Sequence, residues 1–213
     1  MFALDHIVIP AHDPQAVAHQ FANENHVRIT KGGEHPHWGT YNYLAYFQND
    51  AYIEWIGVND YTIAEKSTNP LIQQIVQALK NNCEQPIQYA LRTCEMNSYI
   101  QHLDAISFAY SGPVSGSRGR PDGSLLEWKM LFPICPTTQP LPFLIEWGDV
   151  PNVPTDTSYI NKQSITLLTD QRENIRSYKT AFHVPVNNDS KHITLNNCQI
   201  QLGHGNHLSF TLK

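Results

Sequence analysis

The 213-residue sequence predicts an α+β fold made by duplication, and two observations predict it. The tripeptide Ile-Glu-Trp occurs twice, at Ile53-Glu54-Trp55 and Ile145-Glu146-Trp147, each time inside an apolar, strand-like run. The order strand, helix, strand, strand, strand leads up to both copies, so each falls on the last strand of its unit.

The first unit opens with residues 4–9, an apolar strand interrupted by Asp5 and His6 and ended by Pro10. Asp13-Pro14 starts a helix as N-cap and N1 residues, and Ala16, Val17, Phe21 and Ala22 form its apolar stripe. Residues 26–30 read as a short strand, Gly32-Gly33 opens a loop that runs to Thr40, and 41–47 is the next strand. Asn49-Asp50 makes a hairpin turn into the strand 51–58. Asn69-Pro70 begins a connector helix with Leu71, Ile72, Ile75, Val76 and Leu79 on one face, closed by Asn81-Asn82.

The second unit follows with a strand at 87–92, a short helix carrying Met96, Tyr99, Ile100 and Leu103, and a strand at 107–110. A Gly/Ser/Arg/Pro loop at 111–123 leads to the strand 125–132, a proline-rich turn at 133–140 and the last strand, 141–147. Beyond a linker at 151–154, a strand (164–168), a helix (171–182) and three strands (191–195, 199–202, 208–212) suggest a third, shorter copy without Ile-Glu-Trp. The expected organisation is a first module at 1–60, a connector at 61–86, a second module at 87–150 and a C-terminal α+β segment at 158–213.

Composition narrows the function. Net charge is −5, and the 14 basic residues are scattered, so no Lys/Arg stripe exists to neutralise a nucleic-acid backbone. No apolar run approaches the 18 residues or so that span a bilayer. The N-terminal run lacks a basic flank and a long apolar stretch, so a cytoplasmic protein is expected. Cys83, Cys94, Cys135 and Cys198 form no C-x-x-C pair and read as reduced, small hydrophobes. Phosphate-binding, dinucleotide and serine-hydrolase motifs are absent.

The chemistry-bearing residues lie on the strands and one loop. An ionised Glu amid apolar neighbours on a strand is unusual. Either Glu54 and Glu146 face solvent while Ile and Trp face the core, or they serve a site. His6 is a satisfied core histidine unless it pairs with them. Imidazole and carboxylates together suit a divalent metal such as Zn, Mn, Fe or Ni. His35 and His37 flank Pro36 and, if extended, point the same way, as pocket-mouth residues, a ligand, a general base or a plain surface loop. Arg118 and Arg120 could clamp a substrate carboxylate or phosphate, or lie in a solvated loop. His204 and His207 read as incidental.

Leu4-Asp5-His6-Ile7-Val8, Gly32-Gly33, His35-Pro36-x-Trp38-Gly39-Thr40-x-Asn42, Tyr52-Ile53-Glu54, Arg120-Pro121-Asp122-Gly123 and Pro142-Phe143-Leu144-Ile145-Glu146-Trp147 resemble the glyoxalase-like domain proteins of the vicinal-oxygen-chelate superfamily. The resemblance covers residues 1 to 150 and extends more weakly beyond. It implies paired βαβββ modules forming an open, mostly antiparallel barrel around a pocket. It also implies metal ligands on the first and last strands of each module, which here are His6, Glu54 and Glu146. The first-strand position of the second module falls near Tyr89, which is not a usual ligand, so a four-ligand site is incomplete and binding of a metal is left open. His37 and Tyr89 are the candidate proton-transfer residues; Asn42, Trp38, Arg120 and Trp147 are the candidate substrate contacts. The implied function is a metal-dependent lyase, isomerase or dioxygenase acting on a small oxygenated molecule. The alternative is a non-catalytic, sequestering protein of the bleomycin-resistance type, for whose apolar pocket the abundant aromatics are suited. The expected partner is a small-molecule ligand, with a homodimer allowed and neither nucleic acid nor membrane involved.

Overall fold

In the computed structural model, which describes residues 2–120, 123–135, 140–172, 175–184 and 191–213, the first unit runs β1 (Ala3–Pro10), α1 (Pro14–Asn25), β2 (Thr30–His35), β3 (Thr40–Phe47) and β4 (Tyr52–Val58). Asp13 caps α1 by accepting a hydrogen bond from the Ala16 amide at 3.0 Å, and His26 ends the helix in the left-handed conformation. Two helices, α2 (Tyr61–Ala64) and α3 (Pro70–Lys80), follow. The second unit is β5 (Gln88–Arg92), α4 (Met96–Ala105), β6 (Tyr110–Gly119), β7 (Leu125–Pro133) and β8 (Phe143–Trp147).

These strands make one curled, half-barrel sheet in the order β2-β3-β4-β1-β5-β8-β7-β6. Within each unit the first strand pairs in parallel with the last, β1 with β4 and β5 with β8. The units join where β1 and β5 pair antiparallel. A two-residue strand, β9 (Ile160–Asn161), extends the sheet beside β3.

The two faces of the sheet bury different partners. Leu4, Ile7, Trp55, Tyr89 and Leu131 pack on the outer face, together with Ala18 of α1 and Tyr99 of α4. The inner face carries Val8, Ile56, Ala90, Trp128, Met130, Phe143 and Ile145, and α3 fills most of it with Leu71, Ile72, Ile75, Val76 and Leu79. The periodicity that marks α3 in the sequence is thus its contact with the barrel interior. Full burial of each such aliphatic side chain stabilises by roughly 1.5–3 kcal/mol before entropy is counted.

A second sheet of four strands packs on the outer face. It contains β10 (Ile165–Arg172), β11 (His192–Thr194), β12 (Gln199–Leu202) and β13 (His204–Leu212), in the order β11-β12-β10-β13, with α5 (Ile175–Phe182) beside it. Its Leu168, Phe182, Ile200 and Leu208 belong to the same core cluster as Trp55 and Tyr89. Here β10 is parallel to β12 and antiparallel to β13. This is the arrangement of β1 between β4 and β5, with one strand fewer. No helix among the described residues is long and apolar enough to cross a membrane.

Two segments expected to be loops are strands. β2 includes Gly32-Gly33, and its glycines make room: a Cβ on Gly32 would sit 2.1 Å from the Asn42 side-chain oxygen. β6 runs through the Gly/Ser-rich stretch, where a Cβ on Gly116 would sit 2.4 Å from the Trp128 ring. Both strands lie at the ends of the sheet, and neighbouring side chains rather than their own supply the packing, so no apolar alternation marks them. Most of the strand expected at 107–110 is instead the turn after α4, with Ser107 at φ 53°, and only Tyr110 is in a strand, the first residue of β6. Pro121 and Asp122 of the expected turn, and 136–139 of the proline-rich turn, lie outside the described residues.

Candidate functional site

The inner face of β1 begins at an irregularity. Pairing with β5 passes from Leu4 opposite Leu91 to His6 opposite Ala90, so Asp5 is the extra residue of a bulge. The bulge lets neighbouring side chains act together. His6 Nδ1 donates to Asp5 Oδ1 at 2.7 Å, and both residues are buried. Asp5 Oδ2 accepts from Trp147 Nε1 at 2.9 Å and lies 3.6 Å from the Arg92 guanidinium. Because Asp5 holds Nδ1, the other ring nitrogen of His6 faces the barrel interior. The ring stacks on Tyr52, with centroids 4.6 Å apart.

Glu54 meets His6 from β4. Its Oε2 lies 3.6 Å from His6 Nε2, and its Oε1 accepts from Asn42 Nδ2 at 2.5 Å. Asn42, on β3, is aimed in turn by the Gly33 amide, which donates to its Oδ1 at 2.9 Å. Carboxylate and imidazole are therefore each fixed from behind and face each other at more than hydrogen-bond distance.

The two groups line a small cavity of about 40 Å³, together with His35, Asn42, Tyr52 and Arg118. Trp38, Trp147, Leu71 and Ile72 close its walls. His35 is buried, and its Nδ1 shares a hydrogen bond with Thr40 Oγ1 at 3.1 Å. Burial lowers its pKa to about 4, the Glu54 charge opposes the shift, and Arg118 adds to it. Burial likewise raises the Tyr52 phenol well above its usual range.

Of the residues singled out in the sequence, His6, His35, Trp38, Asn42, Glu54, Arg118 and Trp147 line this one cavity. Arg120 lies apart from it, partly buried, where its Nη2 donates to the carbonyls of Pro151 and Val153. His37 is exposed and lines a separate 230 Å³ cleft with Trp38 and Glu127. Tyr89 is fully buried on the outer face and donates to Asp170 at 3.2 Å, so it is not brought to the cavity. Neither is Glu146, whose Oε1 accepts from the Met96 amide at the start of α4.

Strand parity explains that last divergence. On β4 the inward residues are Tyr52, Glu54 and Ile56, while Ile53 and Trp55 join the outer core. On β8 Ile145 and Trp147 line the cavity and Glu146 turns outward. The two Ile-Glu-Trp copies face opposite ways, the effect of a one-residue shift on a period of two. Register locates the true equivalents. His6 pairs with Tyr52 and Val8 with Glu54; Ala90 pairs with Phe143 and Arg92 with Ile145. The second-unit positions matching His6 and Glu54 are thus Ala90 and Ile145.

That result bears on the expected metal. His6 and Glu54 supply two donors, while Ala90 and Ile145 supply none. Among the described residues no group of three His, Cys, Asp or Glu side chains is placed to hold a metal ion. The residues present do not fit a site with ligands from both units.

The glyoxalase-like domain family model matches residues 4–179, most of the chain. The chain belongs to the glyoxalase-like domain family. That places it in the vicinal-oxygen-chelate superfamily. A second family model, the RIP homotypic interaction motif, matches residues 190–210; the described part, 191–210, holds β11, β12 and most of β13, with Ile200 and Leu202 in the core. No curated protein matches the sequence. Among solved structures, a hypothetical protein from Staphylococcus aureus is 20% identical, with TM-score 0.79 over 99% of this chain and 89% of that chain. A Streptomyces coelicolor methylmalonyl-CoA epimerase in complex with 2-nitronate-propionyl-CoA is 14% identical, with TM-score 0.51 over 71% of this chain and 98% of that chain. A hypothetical protein from Bacillus halodurans is 13% identical, with TM-score 0.50 over 72% and 99%. At these identities the likeness is one of fold.

Proposed function

We propose that this glyoxalase-like protein is an isomerase or lyase that moves a proton on a small oxygenated molecule, with His6 and Glu54 as the paired acid and base. The observation that carries the reading is the opposed pair itself. The Nε2 and Oε2 atoms stand 3.6 Å apart in the wall of a small, part-open cavity, each fixed by a partner behind it.

Asp5 Oδ1 accepts from Nδ1, so Nε2 is the ring nitrogen left to exchange a proton with a substrate carbon or hydroxyl. Glu54, held through Oε1 by Asn42, presents Oε2 to the same space and can take or return a proton on the other side. Negative charge that develops on a substrate oxygen would meet Arg118, which lines the cavity. Trp38, Trp147 and Tyr52 exclude water. General acid–base groups of this kind contribute about 10²- to 10⁴-fold each.

The test is exchange of substrate carbon-bound hydrogen for deuterium, followed by NMR over a panel of small 2-oxo and 2-hydroxy acids and aldehydes. Catalysed exchange lost in His6→Asn and Glu54→Gln variants that remain folded supports the reading. Exchange that survives both substitutions overturns it. Ligand binding without any exchange, equal in wild type and both variants, favours a sequestering protein.

A further inference from the structure

Next to the His6–Glu54 cavity lies a second one, of about 360 Å³, and Arg118 belongs to both. Its walls come from β2, from the end of β6 and from the segment after β8. They include Lys31, Tyr46, Arg118, Arg120, Asp156 and Tyr159, so three cations and one acid line it.

The two arginines are held in place but not neutralised. Arg118 Nη1 donates to the Gly32 carbonyl, and its Nη2 lies 3.4 Å from Asn152 Oδ1. Arg120 Nη2 donates to the Pro151 and Val153 carbonyls at 2.5 and 3.1 Å. All of these acceptors are uncharged. Among the described residues neither guanidinium has a carboxylate within ion-pair distance. The acids nearby are engaged elsewhere: Glu34 pairs with Lys31 at 3.1 Å, and Asp156 accepts from the Ser158 amide at 2.8 Å. Arg118 is half-buried, so its charge is only partly hydrated. A guanidinium presents five N–H donors, and each of these uses one or two on protein. The rest remain for a planar, two-toothed contact with an oxyanion.

We infer that this cavity is an oxyanion subsite, where Arg118 and Arg120 hold a carboxylate or phosphate of the substrate while its reacting end reaches past Arg118 toward His6. The inference rests on the function proposed above for the adjoining cavity and gives its substrate class, an anionic small molecule. Binding puts a full negative charge beside two cations that now donate only to uncharged oxygens.

The experiment is calorimetric titration of the protein with inorganic phosphate and, separately, with malonate, at low and high salt. Binding of at least one anion at a single site is expected, weakened about tenfold or more by Arg120→Gln and by Arg118→Gln, and less by Arg118→Lys. Glu54→Gln should bind the anion as wild type does, so the subsite stands or falls apart from the proton-transfer reading. Phosphate alone binding points to a phosphorylated substrate, and malonate alone to a carboxylic acid. Arg118 bridges β2 and β6, so if Arg118→Gln does not fold, Arg120→Gln and Arg118→Lys carry the test. If neither anion binds, or Arg120→Gln binds as wild type, the inference is overturned.

Discussion

Two buried polar clusters sit on opposite faces of the half-barrel sheet, and they are built on opposite plans. On the outer face, Asp170 Oδ1 accepts from the Arg172 amide and Nε, and Oδ2 from Arg172 Nη2, Tyr178 and Tyr89. Arg172 also donates to the Ile87 carbonyl and lies over the Tyr89 ring, 5.6 Å from its centroid. Acceptor and donor are matched, and the cluster ties β10 to β5. On the inner face, His6 and Glu54 stop 3.6 Å short of each other and border a cavity. A network whose charges are matched within it has little to offer a ligand. One held firmly from behind and open in front does.

The sharpest way to break this comparison is at Asp170. Removing one partner of a buried ion pair leaves the other charge uncompensated, which costs roughly 3–5 kcal/mol. Asp170→Ala is therefore expected to lower the urea unfolding midpoint strongly, while the folded fraction keeps the activity per molecule of wild type. A variant as stable as wild type would show the outer cluster to be dispensable.

His35 gives the next effect, and it appears with pH. Its pKa is about 4 in the fold, against an ordinary 6.5, chiefly because it is buried. Below pH 6.5 the unfolded chain binds this proton and the folded chain does not, so stability falls as pH drops from 6.5 toward 4. It levels off below that, after a loss of about 3 kcal/mol. Unfolding measured across that range should show a shallower acid loss in His35→Gln. Identical slopes in the two proteins would assign the acid loss to other groups.

The fold was legible in the sequence wherever apolar periodicity carries it: β1, α1, β3, β4 and α3 follow from spacing, caps and Pro14 or Pro70. β2 and β6 were hidden because Gly32 and Gly116 let Asn42 and Trp128 do the packing. In the site, His6 and Glu54 stand out as polar residues in apolar strands. Asp5 does not, since simple alternation sends it away from His6, and only the bulge brings the two together. The duplication was visible in Ile-Glu-Trp, but not its facing, because tripeptide identity says nothing about parity when pairing partners are unknown. That Ala90 and Ile145 hold the places of His6 and Glu54 shows only in the strand register.

Those two glutamates provide the smaller effects. Glu146 accepts from the Met96 amide, where the N-cap residue Glu95 makes no side-chain cap bond of its own. Glu146→Ala should cost about 1 kcal/mol, the usual worth of a helix cap, and leave activity unchanged.

Glu54→Gln should change stability least, within about 0.5 kcal/mol. The amide oxygen can still accept from Asn42 at the place of Oε1, and the amide nitrogen can face the His6 lone pair without leaving a buried charge or a hole. What it loses is the ability to gain and release a proton. A protein that unfolds in urea like wild type but exchanges substrate hydrogen about 10²-fold more slowly or worse would set the two copies of Ile-Glu-Trp apart, one serving chemistry and one capping a helix. If Glu54→Gln is instead as damaging to stability as Asp170→Ala, the inner cluster is a structural network too, and the distinction between the two faces fails.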